Sequence, residues 1–131
     1  NAPEESIYPA AITDNRGEPL RGDRRYRIRF GKGSLPPVDA FWSLTAYDRA
    51  TSQLVANPLK RYNIGDRTRG LRYGKDGSLT LYLSTARPPE GASNWLPVPA
   101  SSYHVVMRLY LPRAAALDGS YVLPPIERID P

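Results

Sequence analysis

Leu35-Pro36-Pro37-Val38-Asp39-Ala40-Phe41-Trp42-Ser43-Leu44-Thr45-Ala46-Tyr47-Asp48 is a double-proline corner feeding the most aromatic and β-prone run of the chain. From Phe41 to Asp48 the side chains alternate, with Phe41, Ser43, Thr45 and Tyr47 on one side and Trp42, Leu44, Ala46 and Asp48 on the other. Both sides carry large apolar groups. A strand with two apolar faces is normally covered on both, so the run predicts a central strand enclosed between layers, with recognition left to the connecting loops.

Upstream, Arg24 to Phe30 alternates as well, placing Tyr26, Ile28 and Phe30 on a core face and Arg25, Arg27 and Arg29 on a solvated one. The arginines repeat at roughly 7 Å along the strand, a spacing suited to a polyanion but more simply the wet side of a sheet. Ile7 to Thr13 is a candidate first strand, confined in part to an edge by Pro9. Asp14-Asn15-Arg16-Gly17-Glu18-Pro19 is turn chemistry. Residues 1–13 thus form an N-terminal segment, loose at its start, ahead of a domain over 14–131. Arg21-Gly22-Asp23 spells an integrin-type tripeptide, but a three-letter match arises readily by chance and Gly22 has ordinary work in a turn.

Downstream, Gln53 to Ala56 predicts a short strand, followed by the densest polar passage of the chain, residues 57–70. Leu71 to Tyr73 and Leu79 to Ser84 flank Gly74-Lys75-Asp76-Gly77-Ser78, whose Asp-Gly step is a strong hairpin signal. Arg87-Pro88-Pro89 breaks regular structure. It leads into Asn94-Trp95-Leu96-Pro97-Val98-Pro99, a proline-stiffened loop with the second tryptophan. Tyr103 to Leu111 resumes strand, with Tyr103, Val105, Met107, Leu109 and Leu111 on one face and His104, Val106, Arg108 and Tyr110 on the other. Pro112 to Leu117 suits one helical turn, and Tyr121–Leu123 and Ile126–Ile129 end the chain as extended edges. With 14 prolines, 10 glycines and no amphipathic helix of ordinary length, the chain reads as all-β. It predicts a single-domain, jelly-roll-like β-sandwich of about eight strands with at most one short helix.

At 131 residues the chain is one domain, burying roughly two thirds of its unfolded surface. Without cysteine there is neither a disulfide framework nor a thiolate metal site. No apolar run nears the ~20 residues of a membrane span, and there is no signal-peptide pattern. Asn1 in place of a methionine points to material removed upstream. The net charge is +5, and arginine far outweighs Lys32, Lys60 and Lys75. Guanidinium suits carboxylate, phosphate and sulfate oxygens, so an anionic partner is one reading. Codon bias in a GC-rich genome, which raises Arg, Pro and Gly together, is the blander one.

Taken with Leu35 to Thr45, the ordered blocks Asn57-Pro58, Arg61-Tyr62, Ile64-Gly65-Asp66-Arg67-Thr68, Asp76-Gly77-Ser78-Leu79, Asn94-Trp95-Leu96-Pro97 and Arg108-Leu109-Tyr110 carry a resemblance. From about Asp14 to Arg128 the chain resembles the DUF1214 family. The resemblance implies a jelly-roll-like sandwich in bacterial proteins that often carry an upstream DUF1254-type domain, for which this chain has no room. It also implies an export or anchoring segment upstream, hence a periplasmic location or a membrane anchor facing the periplasm. The family has no agreed activity, so it assigns no catalytic roles.

Residue chemistry bounds the function further. Ser43 lies in Trp42-Ser43-Leu44 and not in a Gly-x-Ser-x-Gly elbow. His104, the one histidine, sits in a predicted strand with no identifiable partner for general-base work. One histidine and no cysteine make no ordinary zinc site, and the spacing of Asp66 and Asp76 matches no calcium loop, so neither metal nor cofactor is implied. The polar candidates are Asp48, Arg61, Asp66, Arg67, Asn94 and Arg108, with Trp42, Tyr62, Trp95 and Tyr110 nearby. If loops meet at one end of the sandwich, Arg61, Tyr62, Asp66, Arg67, Asn94 and Trp95 would form a cleft for a sugar or organic acid. Gly-Asp-Arg-Thr can equally be a turn tied by its own Asp, and Trp42 reads as core. The preferred function is a non-enzymatic envelope domain that binds a small-molecule or protein ligand. The alternatives are an enzyme acting on a carbohydrate or organic acid through Asp and Arg, and a nucleic-acid binder, which the absence of signature motifs disfavours.

Overall fold

The structure, a computed structural model, describes residues 4–129. Two sheets pack face to face. The first is built on β4 (Val38–Asp48), flanked by β8 (Tyr103–Pro112) on one side and β5 (Asn63–Gly65) on the other. Two short strands, β1 (Ser6–Ile7) and β2 (Ala10–Ala11), pair with the far edge of β8. The second sheet runs β7 (Trp95–Pro97), β6 (Leu79–Ser84), β3 (Tyr26–Phe30) and β9 (Glu127–Arg128). One short helix, α1 (Ala114–Leu117), follows β8. The expected all-β, jelly-roll-like sandwich with one short helix is what forms.

The alternation read in the sequence becomes the core. Tyr26, Ile28 and Phe30 of β3 and Leu79, Leu81 and Leu83 of β6 face Trp42, Leu44 and Ala46 of β4 and Tyr103, Val105, Met107 and Leu109 of β8. Aromatic pairs fasten sheet to sheet: Phe30 lies 5.6 Å from Trp42 between ring centroids, and Tyr26 meets Tyr103 edge-on at 6.3 Å. Each fully buried ring or aliphatic side chain contributes about 1.5–3 kcal/mol. Arg27 and Arg29 of β3 point outward as expected, and acids meet Arg27 and the half-buried Arg25 just before the strand. Arg25 pairs with Glu90 at 3.0 Å and Arg27 with Glu127 at 3.6 Å, which interrupts any track for a polyanion.

Several expectations change. Ile7 to Thr13 is two strands, not one, because the chain breaks at Tyr8-Pro9; the Pro9 carbonyl still accepts the Met107 N–H at 2.8 Å. Gln53 to Ala56 is not a strand; only the Gln53 carbonyl reaches β4, accepting the Asp48 N–H at 2.9 Å. The Asp-Gly turn forms, with Gly77 at φ +88° and the Gly74 N–H donating to the Ser78 carbonyl at 2.7 Å. Its first arm, 71–73, is nevertheless no strand. Both edges of β6 are already taken, by β3 and β7, and the Asn94 amide holds the Arg72 main chain instead. The proline-stiffened segment at Trp95 is itself an edge strand, parallel to β6, where Pro97 is tolerated. Leu111 leaves the core face: the pairing of β4 with β8 slips by one residue between Val38 and Phe41, Leu111 takes φ +52°, and its side chain is exposed.

The largest correction concerns β4. Its Trp42 face is core, but among the described residues no second layer covers its Phe41 face, which is the floor of an open cleft. Concave surface is therefore not confined to the loops.

Candidate functional site

The pairing of β4 with β8 dictates what the floor holds. Phe41 lies opposite Tyr110, Ser43 opposite Arg108, Thr45 opposite Val106 and Tyr47 opposite His104, all on the outer face because that face alternates with the buried one. On the other flank, Ser43 pairs with Gly65 and Thr45 with Asn63. Residues 49–62 leave the end of β4 and return as β5, bringing Leu54 and Tyr62 to one wall, while Arg67 and Thr68 follow β5 at the other. The cleft so enclosed holds about 510 Å³.

Aromatic rings close each end of the floor. Phe41 stacks on Tyr110 at 4.3 Å between centroids, and the Arg67 guanidinium carbon sits 4.1 Å from the Phe41 centroid, so the ring is held between the two. At the opposite end Tyr47 stacks on His104 at 5.4 Å. Such contacts explain why the strand looks apolar on both sides: these rings are covered by one another and by guanidinium, not by a layer.

Arg108 occupies the middle. Its Nη1 donates to Thr45 Oγ1 at 3.0 Å and its Nη2 to the Tyr47 hydroxyl at 2.5 Å. Thr45 is buried and Arg108 half-buried, so the guanidinium is fixed in place. Both acceptors are neutral. Among the described residues no carboxylate pairs with Arg108 or Arg67, and no acidic side chain lines the cleft.

The residues singled out from sequence do not gather at one place. Tyr62 and Arg67 line the cleft, and so do Arg108 and Tyr110 of the wider set. Asp66 does not; its Oδ1 accepts the Trp42 N–H at 3.3 Å, and the residue borders a separate hollow with Leu35, Pro37, Tyr73 and Arg113. There burial, reinforced by the Asp66 charge, raises the Tyr73 phenol above its ordinary pKa. Arg61 turns inward and donates through Nη1 to the carbonyls of Ala92, Ser93 and Trp95. Asn94 clamps the backbone, its Nδ2 donating to the carbonyls of Arg72 and Thr80 and its Oδ1 accepting the Arg72 N–H. Trp95 is buried, its indole N–H on the Ser84 carbonyl at 3.0 Å. Asp48 ends β4 as a turn-former, accepting from the N–H groups of Ala50 and Thr51 and from the Ser101 hydroxyl. Arg21 and Asp23 of the integrin-type tripeptide pair with each other at 2.7 Å.

Phe41, Ser43, Thr45 and Tyr47 were legible as one strand face but not as the floor of a cleft. The available signal was Arg108 on a strand face otherwise lined by aromatics and small hydroxyls. Among the described residues no cluster of three or more His, Cys, Asp or Glu side chains could hold a metal ion, and no helix is long and apolar enough to cross a membrane.

Fold and floor together define a β-sandwich whose outer sheet face carries an aromatic cleft with two arginines. The chain belongs to the DUF1214 family, proteins of unknown function, whose profile matches residues 5–114. No curated protein matches it. Among solved structures it is similar to the VPA0106 protein from Vibrio parahaemolyticus, at 33% identity and a TM-score of 0.86 over 98% of this chain. It shares a fold with an uncharacterized protein from Burkholderia cenocepacia, at 17% identity and a TM-score of 0.58 over 99% of this chain. It spans 31% of the length of each of those chains.

Proposed function

We propose that this domain is a non-enzymatic ligand-binding module of the bacterial envelope, and that its ligand is a small organic anion seated on the outer face of β4 and β8. The observation that carries this reading is Arg108, fixed by two neutral hydroxyls in the middle of a cleft with no acid in its lining. Neutral acceptors orient a guanidinium without cancelling its charge, and the fork that remains matches a carboxylate. The volume of about 510 Å³ falls within the range of small-molecule sites, roughly 300–1,000 Å³. Aromatic walls and the hydroxyls of Ser43 and Thr68 would pack and orient the rest of the ligand.

Turnover of a carbohydrate or organic acid through paired Asp and Arg would require Asp66 beside the ligand. Asp66 borders the other hollow, which favours binding over catalysis. The envelope location rests on the sequence resemblance alone, and an export signal in the precursor tests it. The cleft is tested by calorimetric titration with simple carboxylates, comparing the wild type with Arg108→Met after circular dichroism shows both folded. Saturable binding lost in the variant is the expected result; binding that survives in folded Arg108→Met places the ligand elsewhere.

A further inference from the structure

The cleft holds two positive charges, and they are held differently. Arg108 is half-buried and locked by Thr45 and Tyr47. Arg67 is exposed on the segment after β5, resting on the face of Phe41, a weak partner for a guanidinium that has water available. Because the Arg108 guanidinium lies at Thr45 and Tyr47 and that of Arg67 over Phe41, the two cations stand at least two rows apart on the same face, on the order of 13 Å along the strand. A single compact anion cannot sit squarely on both.

We infer that the ligand is a short dicarboxylate. This rests on the outer-face cleft being the binding site and adds what the two arginines select. One carboxylate takes the N–H groups that Arg108 does not spend on Thr45 and Tyr47. The other draws Arg67 off the Phe41 ring into an ion pair. The connecting methylenes lie against Leu54 and Tyr62, which line the same cleft. With each guanidinium–carboxylate pair taking up about 4 Å, a two-row separation leaves a gap suited to a flexible diacid of about glutarate or adipate length. Arg108 is thus the fixed anchor and Arg67 the movable one, and selection for length follows from the distance between them.

Calorimetric titrations at low ionic strength with succinate, glutarate, adipate, the monoacid butyrate and inorganic phosphate test this, using the wild type and Arg67→Gln. Arg67 is exposed, and circular dichroism checks that Arg67→Gln is folded before titration. We expect at least one diacid to bind about tenfold or more tightly than butyrate, as an added charge-assisted hydrogen-bond pair would give. Arg67→Gln should erase that advantage, so that no diacid binds the variant more tightly than butyrate does. Equal affinity for butyrate and every diacid, phosphate binding more tightly than every diacid, or a diacid advantage that survives Arg67→Gln each overturns the dicarboxylate assignment while the cleft reading stands. No binding of any probe overturns both.

Discussion

Arg61 reaches from the segment before β5 to the chain entering β7, its Nη1 donating to the carbonyl oxygens of Ala92 at 2.7 Å and of Trp95 at 2.9 Å. One charged group thereby ties the edge of the first sheet to the edge of the second. Removing it takes this donor from the Trp95 carbonyl and leaves the Ala92 carbonyl only the Trp95 N–H at 3.3 Å, so Arg61→Ala should cost about 1–3 kcal/mol in urea denaturation. Affinity for a cleft ligand, measured on the folded protein, should not change. A loss of affinity without a loss of stability would reverse that assignment and return Arg61 to the binding site.

Tyr103 is fully buried, and its hydroxyl has no hydrogen-bond partner among the described residues. Burial, with Tyr26 adding to it, pushes the phenol well above its ordinary pKa. Tyr103→Phe keeps the edge-on contact with Tyr26 and removes a desolvated polar atom, so it should leave stability unchanged or raise it by up to ~1 kcal/mol. A melting temperature several degrees lower would show that the hydroxyl is satisfied.

Gly65 lies where β5 meets β4 so closely that a Cβ would stand 2.2 Å from the Trp42 carbonyl oxygen. Gly65→Ala must push β5 away from β4, at a cost of about 2–4 kcal/mol, and should loosen the wall that carries Arg67. Thermal melting checks the first effect and ligand titration the second; an unshifted melting curve would contradict the close approach.

Hydrogen bonds from the Ser101 hydroxyl, and then from Thr51, hold the Asp48 carboxyl below its ordinary value of 3.8. A carboxyl with a depressed folded-state pKa stabilises the fold above the unfolded-state value, and that stabilisation is lost as pH falls through the folded one. Asp48→Asn should therefore melt below the wild type at neutral pH, with the gap closing only as pH drops below about 3.8. A gap that stays constant into acid would mean that charge plays no part in the turn.

What could be read from the sequence was whatever leaves a period-two trace. Tyr26, Ile28 and Phe30, Trp42, Leu44 and Ala46, and Tyr103 to Leu109 alternate because one face of each strand is buried, and they gave the two-sheet core. The open face of β4 left no such trace. Phe41, Tyr47 and Tyr110 satisfy their apolar area by stacking on one another, on Arg67 and on His104, and a ring covered by a ring has the same composition as a ring covered by a sheet.

The candidate site was half legible for a related reason. Arg61, Asn94 and Trp95 stood out as polar or aromatic residues in loops, but their partners are main-chain carbonyls, which carry no mark in a sequence. Arg67 and Tyr62 reached the cleft because the return of β5 to Ser43 and Thr45 brings them there, a long-range pairing that spacing alone does not fix. β7 went unrecognised because its strand character lies in a three-residue parallel pairing with β6 that tolerates Pro97.

The most direct test of the outer-face site is an amide chemical-shift map of the protein titrated with glutarate. The account predicts saturable shifts confined to residues 41–47, 62–68 and 104–110. Shifts gathered instead at Leu35, Tyr73 and Arg113, which line the other hollow, or none at any concentration, would contradict it.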